Sequence, residues 1–325
     1  MRVAMLGAGA WGTALAKILV DGGHDVTLWD GDTANLENLR AGRNERYLPG
    51  VKLPASWRVE PSWERAVAEQ EVLVFALPSI VFRQVASRLI KTSATLVTVT
   101  KGIEYETGLT MGHILQDSAP GCAVASLSGP SFAIEVARGV PTAIVCASED
   151  DATARTVQHL FHRPTFRVYR STDLTGVELG GALKNIIAIA AGFGDGLGYG
   201  DNTKAAVVTR AISEMRRLGV ACGAQPETFS GLSGLGDLTL TCFSRQSRNR
   251  ELGERLGRGE SMDAILASAP KLAEGYPTAR SAHRLARRLN VTTPIMDEVY
   301  AVLYEGKSAR QAEQALISRE LKAED

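Results

Sequence analysis

The sequence predicts two domains of different class: a doubly wound parallel α/β sheet, then an all-helical domain. Three observations carry that expectation. The first half alternates short β-rich runs with helical patterns, a glycine-rich turn follows the first run directly, and the strand pattern stops near residues 170–176. At 325 residues, with 45% hydrophobic and 22% charged side chains, the chain has material for two cores.

Taken in order, Arg2–Leu6 reads as the first strand and residues 10–20 as the helix it feeds. Residues 25–29, 72–76, 95–99 and 124–127 follow as further parallel strands. The pair 142–146 and 166–169 flanks a helical stretch at 152–161 and extends the sheet. Residues 1–172 then form one domain and 173–325 the other. From Gly176 onward only helical periodicity remains, interrupted by glycine-rich loops at 192–200 and 231–236. Asp201 is the expected N-cap of a helix over 202–218, and Ser308 with Gln311 reads as a capping box. There is no internal repeat and no low-complexity segment.

Bulk charge narrows the partners. The 36 basic and 36 acidic side chains cancel, which gives no reason for a nucleic-acid or membrane surface. A small molecule met by a local pocket is expected instead. The strand-like start leaves no signal-peptide h-region, and no apolar run looks long enough to span a bilayer, so the expected location is the cytoplasm. Cys122, Cys146, Cys222 and Cys242 have neither metal-ligand nor redox spacing. Free thiols and no metal site are expected.

Gly7-Ala8-Gly9-Ala10-Trp11-Gly12 lies between a strand and a helix. There the pattern implies a tight turn, close backbone approach to a pyrophosphate, and a helix N-terminus aimed at it. Asp30 ends the second strand, where a carboxylate accepts hydrogen bonds from an adenosine ribose and repels a 2′-phosphate. Gly31 and Asp32 follow, with no arginine. NAD(H) is therefore favoured over NADP(H), unless Arg43 or Arg46 folds back.

In the second half, Lys184 sits within Gly180-Gly181-Ala182-Leu183-Lys184-Asn185-Ile186-Ile187. Helical side chains lean toward the N-terminus, so Lys184 lies over the two glycines, leaving a hole above its ammonium. The bland alternative is a lysine snorkelling to water. Other polar segments also lack a structural reason. Thr98-Val99-Thr100-Lys101-Gly102 and Ser128-Gly129-Pro130-Ser131-Phe132-Ala133 end parallel strands, where ligands bind. In Ser247-Arg248-Asn249-Arg250, Ser247 caps a helix running to Leu256 and cations oppose its dipole, a conflict that a bound phosphate resolves. Asp237, in Gly234-Leu235-Gly236-Asp237-Leu238, is either an Asx-turn residue or the carboxylate partner of Lys184.

Together these segments resemble, over essentially the whole length and in the same order, the bacterial NAD(P)-dependent sn-glycerol-3-phosphate dehydrogenases. Glu178-Leu-Gly-Gly-Ala-Leu-Lys-Asn185 and Glu274-Gly275 complete the match. The resemblance implies a Rossmann-type domain followed by an all-α domain, as in the 6-phosphogluconate-dehydrogenase-like enzymes, commonly in a homodimer. It implies that Lys184 transfers the proton, with Asp237 and Lys101 as its catalytic companions. Lys101, Gly129, Ser131, Asp237, Ser247, Arg248 and Asn249 then line the glycerol-phosphate site, and Asn185, next to Lys184, and Thr241, in the longer polar stretch 231–242 that includes Asp237, are counted with them. The expected cofactor contacts are Gly7, Gly9, Ala10, Trp11, Gly12, Asp30, Lys101, Ala133, Arg248, Leu272 and Glu274. The departure is Asp30-Gly31, where many relatives carry a basic or neutral side chain.

On this reading dihydroxyacetone phosphate, a phosphorylated triose, binds with its phosphate at the Arg248/Asn249 helix start and its carbonyl near Lys184. Hydride comes from nicotinamide, and Lys184 protonates the developing alkoxide to give glycerol phosphate for phospholipid synthesis. Burial disfavours the ammonium while a carboxylate restores it, which suits a proton donor. Two rivals remain: a hydroxyacid dehydrogenase of the same architecture, which often uses histidine as its base, and a non-catalytic NAD(H)-sensing module. His24, His113, His159, His162 and His283 all lie outside the polar segments.

Overall fold

The computed structural model describes residues 1–90, 92–268, 273–321 and 323. The chain divides into two compact units, Met1–Lys101 with Thr110–Glu178, and Gly102–Leu109 with Leu179–Asp325.

The first unit is built on β1 (Arg2–Leu6), β2 (Asp25–Trp29), β3 (Arg58–Val59), β4 (Val72–Phe75), β5 (Thr95–Thr98), β6 (Val124–Ser128), β7 (Thr142–Ala147) and β8 (Phe166–Ser171). They form one sheet in the order β3-β2-β1-β4-β5-β6-β7-β8. Every neighbouring pair is parallel except β6 and β7. The link 129–141 holds only a five-residue helix, and a chain that returns antiparallel needs no long crossover. β1, β4 and β6 are continuous apolar or small-residue runs, buried along nearly their whole length, as strands covered on both faces must be. The two-residue β3 lies below the length at which a strand shows any periodicity.

The helices of this unit are α1 (Ala10–Asp21), α2 (Thr33–Arg40), α3 (Trp63–Val67), α4 (Ser79–Ala86), α5 (Met111–Ser118), α6 (Ala133–Ala137) and α7 (Asp151–Phe161). Strand order runs outward in both directions from β1 and β4. The fingerprint turn therefore emerges at the point where the order reverses, the place such sheets offer to ligands.

α8 (Leu174–Gly196) starts in the first unit and continues into the second, which adds α9 (Asp201–Ala221), α10 (Asp237–Phe243), α11 (Arg248–Gly257), α12 (Met262–Ser268), α13 (Gly275–Arg288), α14 (Pro294–Tyr304) and α15 (Ala309–Ile317). Leu183, Ile186, Ile187 and Ile189 of α8 are fully buried among Met215 and Leu218 of α9, Leu238 of α10, Leu252 of α11 and Val299 of α14.

Four expectations are corrected here. Residues 192–196 are helical, because their glycines let two backbones touch: a Cβ on Gly192 would lie 2.1 Å from Arg250 O, and one on Gly253 2.0 Å from Ile189 O. Gly196 and Gly257 repeat the contact one turn on. Residues 232–236 form a single π-helical turn instead of a loop. Asp201 is the first residue of α9, and Gly200 holds the cap position without a side-chain bond. Finally, α8 is long and apolar enough to cross a membrane by length and composition, but 94% of that window is buried inside the protein. A core helix passes the same test. The Ser308–Gln311 capping box is present, and all four cysteines are free.

Candidate active site

In the first unit the fingerprint turn is shaped by its glycines. Gly7 has φ +106°, and a Cβ there would meet Ala76 O at 2.4 Å; one on Gly12 would meet Gly7 O at 2.0 Å. Gly9 is different, since nothing lies within 4 Å of its Cβ position. It caps α1 without a side-chain bond, so the turn presents open backbone at a helix N-terminus, and a dinucleotide pyrophosphate fits there. Ala10 and Trp11 follow half-buried, Trp11 tilted against Phe166 at 6.5 Å.

Side chains clamp Ala8 in this turn. Its N–H donates to Asp30 Oδ2 at 2.7 Å, and its carbonyl accepts from Thr13 Oγ1, Asn35 Nδ2 and Asn44 Nδ2 at 2.9, 2.9 and 3.1 Å. Asp30 Oδ1 accepts the Asp32 N–H at 2.9 Å. The carboxylate expected to meet a ribose thus also holds the turn. Sequence reasoning missed Thr13, Asn35 and Asn44 because they act on one carbonyl from separate elements, without a local motif. Arg46, 67% exposed, pairs with Asp32 at 3.1 Å.

At the carboxyl edges of β5 and β6 the structure brings Lys101, Gly129 and Ser131 together. Lys101 Nζ donates to Gly129 O at 3.4 Å, and Ser131 Oγ to the same oxygen at 3.0 Å. Gly129 has φ +144° and would press a Cβ to 3.0 Å from Ile144 Cα. Ala133 opens α6.

In the second unit Lys184 is 7% exposed. Its ammonium donates to Asp237 Oδ1 at 2.5 Å and to Thr241 Oγ1 at 2.7 Å, while Thr241 Oγ1 donates to Asp237 O at 2.6 Å. Of the two readings of Asp237, the ion-paired one is observed; the snorkelling lysine is not. The expected hole above Lys184 is corrected at Gly180, whose Cβ position lies 2.8 Å from Ser233 O. The missing side chain admits the π-turn backbone, which then delivers Asp237 at the first position of α10. Cys242, on the same short helix, has its thiol pushed up to about 12 by burial and stays protonated.

A second chain of polar contacts joins three helices. Asn185 Oδ1 accepts from Asn249 Nδ2 at 2.9 Å, Asn249 Oδ1 accepts the Gly275 N–H at 2.8 Å, and Asn185 Nδ2 donates to Glu274 Oε2 at 3.4 Å. Ser247 caps α11, accepting the Arg250 N–H at 3.2 Å. The two arginines then part: Arg250 turns back onto Asp195 and Glu254, so its conflict with the helix dipole is relieved within the protein. Arg248 is exposed and has no hydrogen bond or ion pair among the described residues. Leu272 lies outside them. No cluster of three or more His, Cys, Asp or Glu able to hold a metal occurs among the described residues.

A nucleotide turn alone defines a binding module; a buried ammonium held by a carboxylate adds acid–base chemistry. With the two-unit architecture, these features define a dinucleotide-dependent dehydrogenase. Comparison with known proteins narrows the class. Residues 2–154 match the family described as NAD-dependent glycerol-3-phosphate dehydrogenase N-terminus, and residues 173–314 match its C-terminus. The glycerol-3-phosphate dehydrogenase [NAD(P)+] of Geobacter sulfurreducens is 49% identical over 99% of this chain and 98% of its own. The crystal structure of glycerol-3-phosphate dehydrogenase from Coxiella burnetii, 36% identical, superimposes with a TM-score of 0.94 over 98% of this chain and 99% of its own. D-mandelate dehydrogenase shares the fold alone, at 14% identity and a TM-score of 0.60 over 98% of this chain and all of its own. The chain belongs to the NAD-dependent glycerol-3-phosphate dehydrogenase family.

Proposed function

We propose that the protein reduces dihydroxyacetone phosphate to sn-glycerol 3-phosphate with NADH or NADPH, reversibly, and supplies glycerol phosphate for phospholipid synthesis in the cytoplasm as a homodimer. The observation that carries the chemistry is the buried Lys184–Asp237 pair. An ion pair out of water is a poor stabilising device, because desolvation offsets most of its Coulombic gain. A proton donor has a use for it.

Gly7, Gly9, Ala10, Trp11 and Gly12 would hold the reduced dinucleotide, with Asp30, Lys101, Ala133, Arg248, Leu272 and Glu274 as its further proposed contacts, and when bound it would supply the hydride. Lys184 gives a proton from Nζ to the oxygen that gains charge, and takes one back in the reverse direction. Asp237 and Thr241 fix that ammonium at hydrogen-bond distance, so no reorganisation is needed as charge develops. Arg248, without an ion pair among the described residues and at the first position of α11, offers its fork to the substrate phosphate, with the helix N-terminus behind it. Asn249, Asn185, Ser247, Lys101, Gly129 and Ser131 complete the proposed substrate contacts. Asp30, with Gly31 beside it and Arg46 drawn to Asp32, supports a preference for NADH.

The test is the loss of reduced-nicotinamide absorbance on adding dihydroxyacetone phosphate. Turnover with this substrate and none with a 2-oxo acid supports the reading. Turnover with the 2-oxo acid alone would establish the hydroxyacid rival, and cofactor binding without turnover the sensing module.

A further inference from the structure

Glu178 is buried and takes no part in the chemistry above. It stands in the second turn of α8, and its carboxylate accepts the Gly112 N–H at 2.8 Å and the Thr110 hydroxyl at 2.5 Å, with Ser126 of β6 a third donor. Gly112 is the second residue of α5, so a side chain from α8 fills the role of an N-cap. Thr110, at the cap position itself, makes no cap bond. The joint leaves no slack, since a Cβ on Gly112 would lie 2.7 Å from Glu178 Oε2. On its other side Thr110 Oγ1 stands 2.6 Å from His113 Nδ1.

A hydroxyl has one proton, yet Thr110 has two neighbours at hydrogen-bond distance. When Thr110 donates to charged Glu178, His113 Nδ1 must carry a proton and donate to Thr110. When Glu178 is protonated and donates to Thr110, the hydroxyl turns toward His113 Nδ1, which must then be bare. We propose that Glu178 is a positioning residue for α8, the helix carrying Lys184 and Asn185, and that its protonation is coupled through Thr110 to the tautomer of His113. The six residues from Glu178 to Lys184 span roughly 9 Å of one unbroken helix, so a shift of its start is carried along it.

The groups facing Glu178 (Thr110, Gly112 and Ser126) do not titrate in this range. Burial pushes its carboxyl up to about 7. Burial also lowers His113, against the opposing charge of Glu149, which Gln116 holds at 3.1 Å. Burial thus disfavours the imidazolium, and the change that Thr110 relays to His113 is one of tautomer.

The test is nitrogen-15 NMR of histidine-labelled protein between about pH 6 and about pH 8.5. His113 should carry its proton on Nδ1 at the upper end and on Nε2 at the lower. Glu178→Gln, which donates to Thr110 at every pH, should hold the Nε2–H form throughout. Thr110→Val should leave a tautomer that ignores pH. A wild-type tautomer that ignores pH, or a transition that survives in Thr110→Val, overturns the coupling.

The activity readout rests on the reaction proposed above; the tautomer readout does not. Glu178→Ala should lower kcat roughly ten- to a hundredfold, as a misplaced catalytic group does, with KM for the cofactor within about twofold of wild type. Glu178→Gln should restore most of that loss and remove the inflection near neutral pH. Equal losses in both variants at every pH, or a change in KM alone, overturn the positioning role. A wild-type protein inactive with dihydroxyacetone phosphate would instead sink the reaction and leave the NMR result standing.

Discussion

Lys184 illustrates how a residue acquires a role from its surroundings. An apolar helix with one lysine admits a snorkelling side chain, and what excludes that here is a carboxylate 2.5 Å away with only 1% of its side chain exposed. On the proposed mechanism, removing the ammonium takes away both the proton donor and the charge that meets the forming alkoxide. Lys184→Ala should therefore lower kcat by about 10²-fold or more, and a near-wild-type kcat in steady-state assays would remove Lys184 from the mechanism. Arg248 and Arg250 make the complementary case. Arg248→Ala should raise KM for dihydroxyacetone phosphate well beyond its effect on kcat, while leaving unphosphorylated dihydroxyacetone unaffected; equal losses with both substrates would count against a phosphate contact. Local sequence showed two arginines in one helical turn. That Arg250 belongs to Asp195 was invisible, because the partner is 55 residues away.

At the level of elements, glycine spacing was the feature most easily misread. Gly192 and Gly196 have the composition of a loop, yet α8 runs through them because α11 presents Gly253 and Gly257 at matching intervals. Helix propensity, about 1 kcal/mol per glycine, yields to the dispersion attraction between two backbones packed this closely. Gly253→Ala should accordingly destabilise the protein by at least about 1–3 kcal/mol despite its better propensity, read as a lower Tm; an unchanged or higher Tm would show that the helices can separate without loss. Glu214 joins α9 to the start of α14, accepting the N–H groups of Ile295 and Met296 at 2.8 and 3.2 Å. Burial pushes its carboxyl up to about 7, so between the unfolded value near 4.5 and about 7 the folded state holds the extra proton. Stability from this group is full below that window and declines as pH rises through it, by about 3 kcal/mol in all. Glu214→Gln should flatten that part of the pH–Tm curve, and an unchanged slope would refute the assignment.

For the molecule as a whole, the class of fold was largely legible, whereas the placing of Gly102–Leu109 with the second unit was not. Five strands with parallel signatures, a fingerprint between strand and helix, and the loss of strand pattern after residue 173 follow from periodicities of two and 3.6, which are local. The antiparallel β7 and the two-residue β3 were not, since pairing direction and very short strands depend on neighbours distant in the chain. Cofactor choice is a property of the assembled first unit. Asp30, anchored to the turn it faces, and Arg46, diverted to Asp32, predict a higher kcat/KM with NADH than with NADPH. A clear NADPH preference in parallel assays would show that Arg46 leaves Asp32 for the 2′-phosphate. Sedimentation of the purified protein tests the homodimer, and a monomer at assay concentration would exclude it.

Residue order alone was enough for the class of fold and the nucleotide turn, and it singled out Lys184, Asp237 and Arg248 as candidates, because motifs and periodicity are written in neighbouring positions. Folding assigned the partners. That Gly180 makes room for the backbone delivering Asp237, that Asp30 clamps Ala8, and that Glu178 of α8 caps α5 are contacts between segments 22 to 66 residues apart. Hydrogen bonds and close packing act over a few ångströms of space whatever the separation along the chain, so such pairings exist only once the chain has folded.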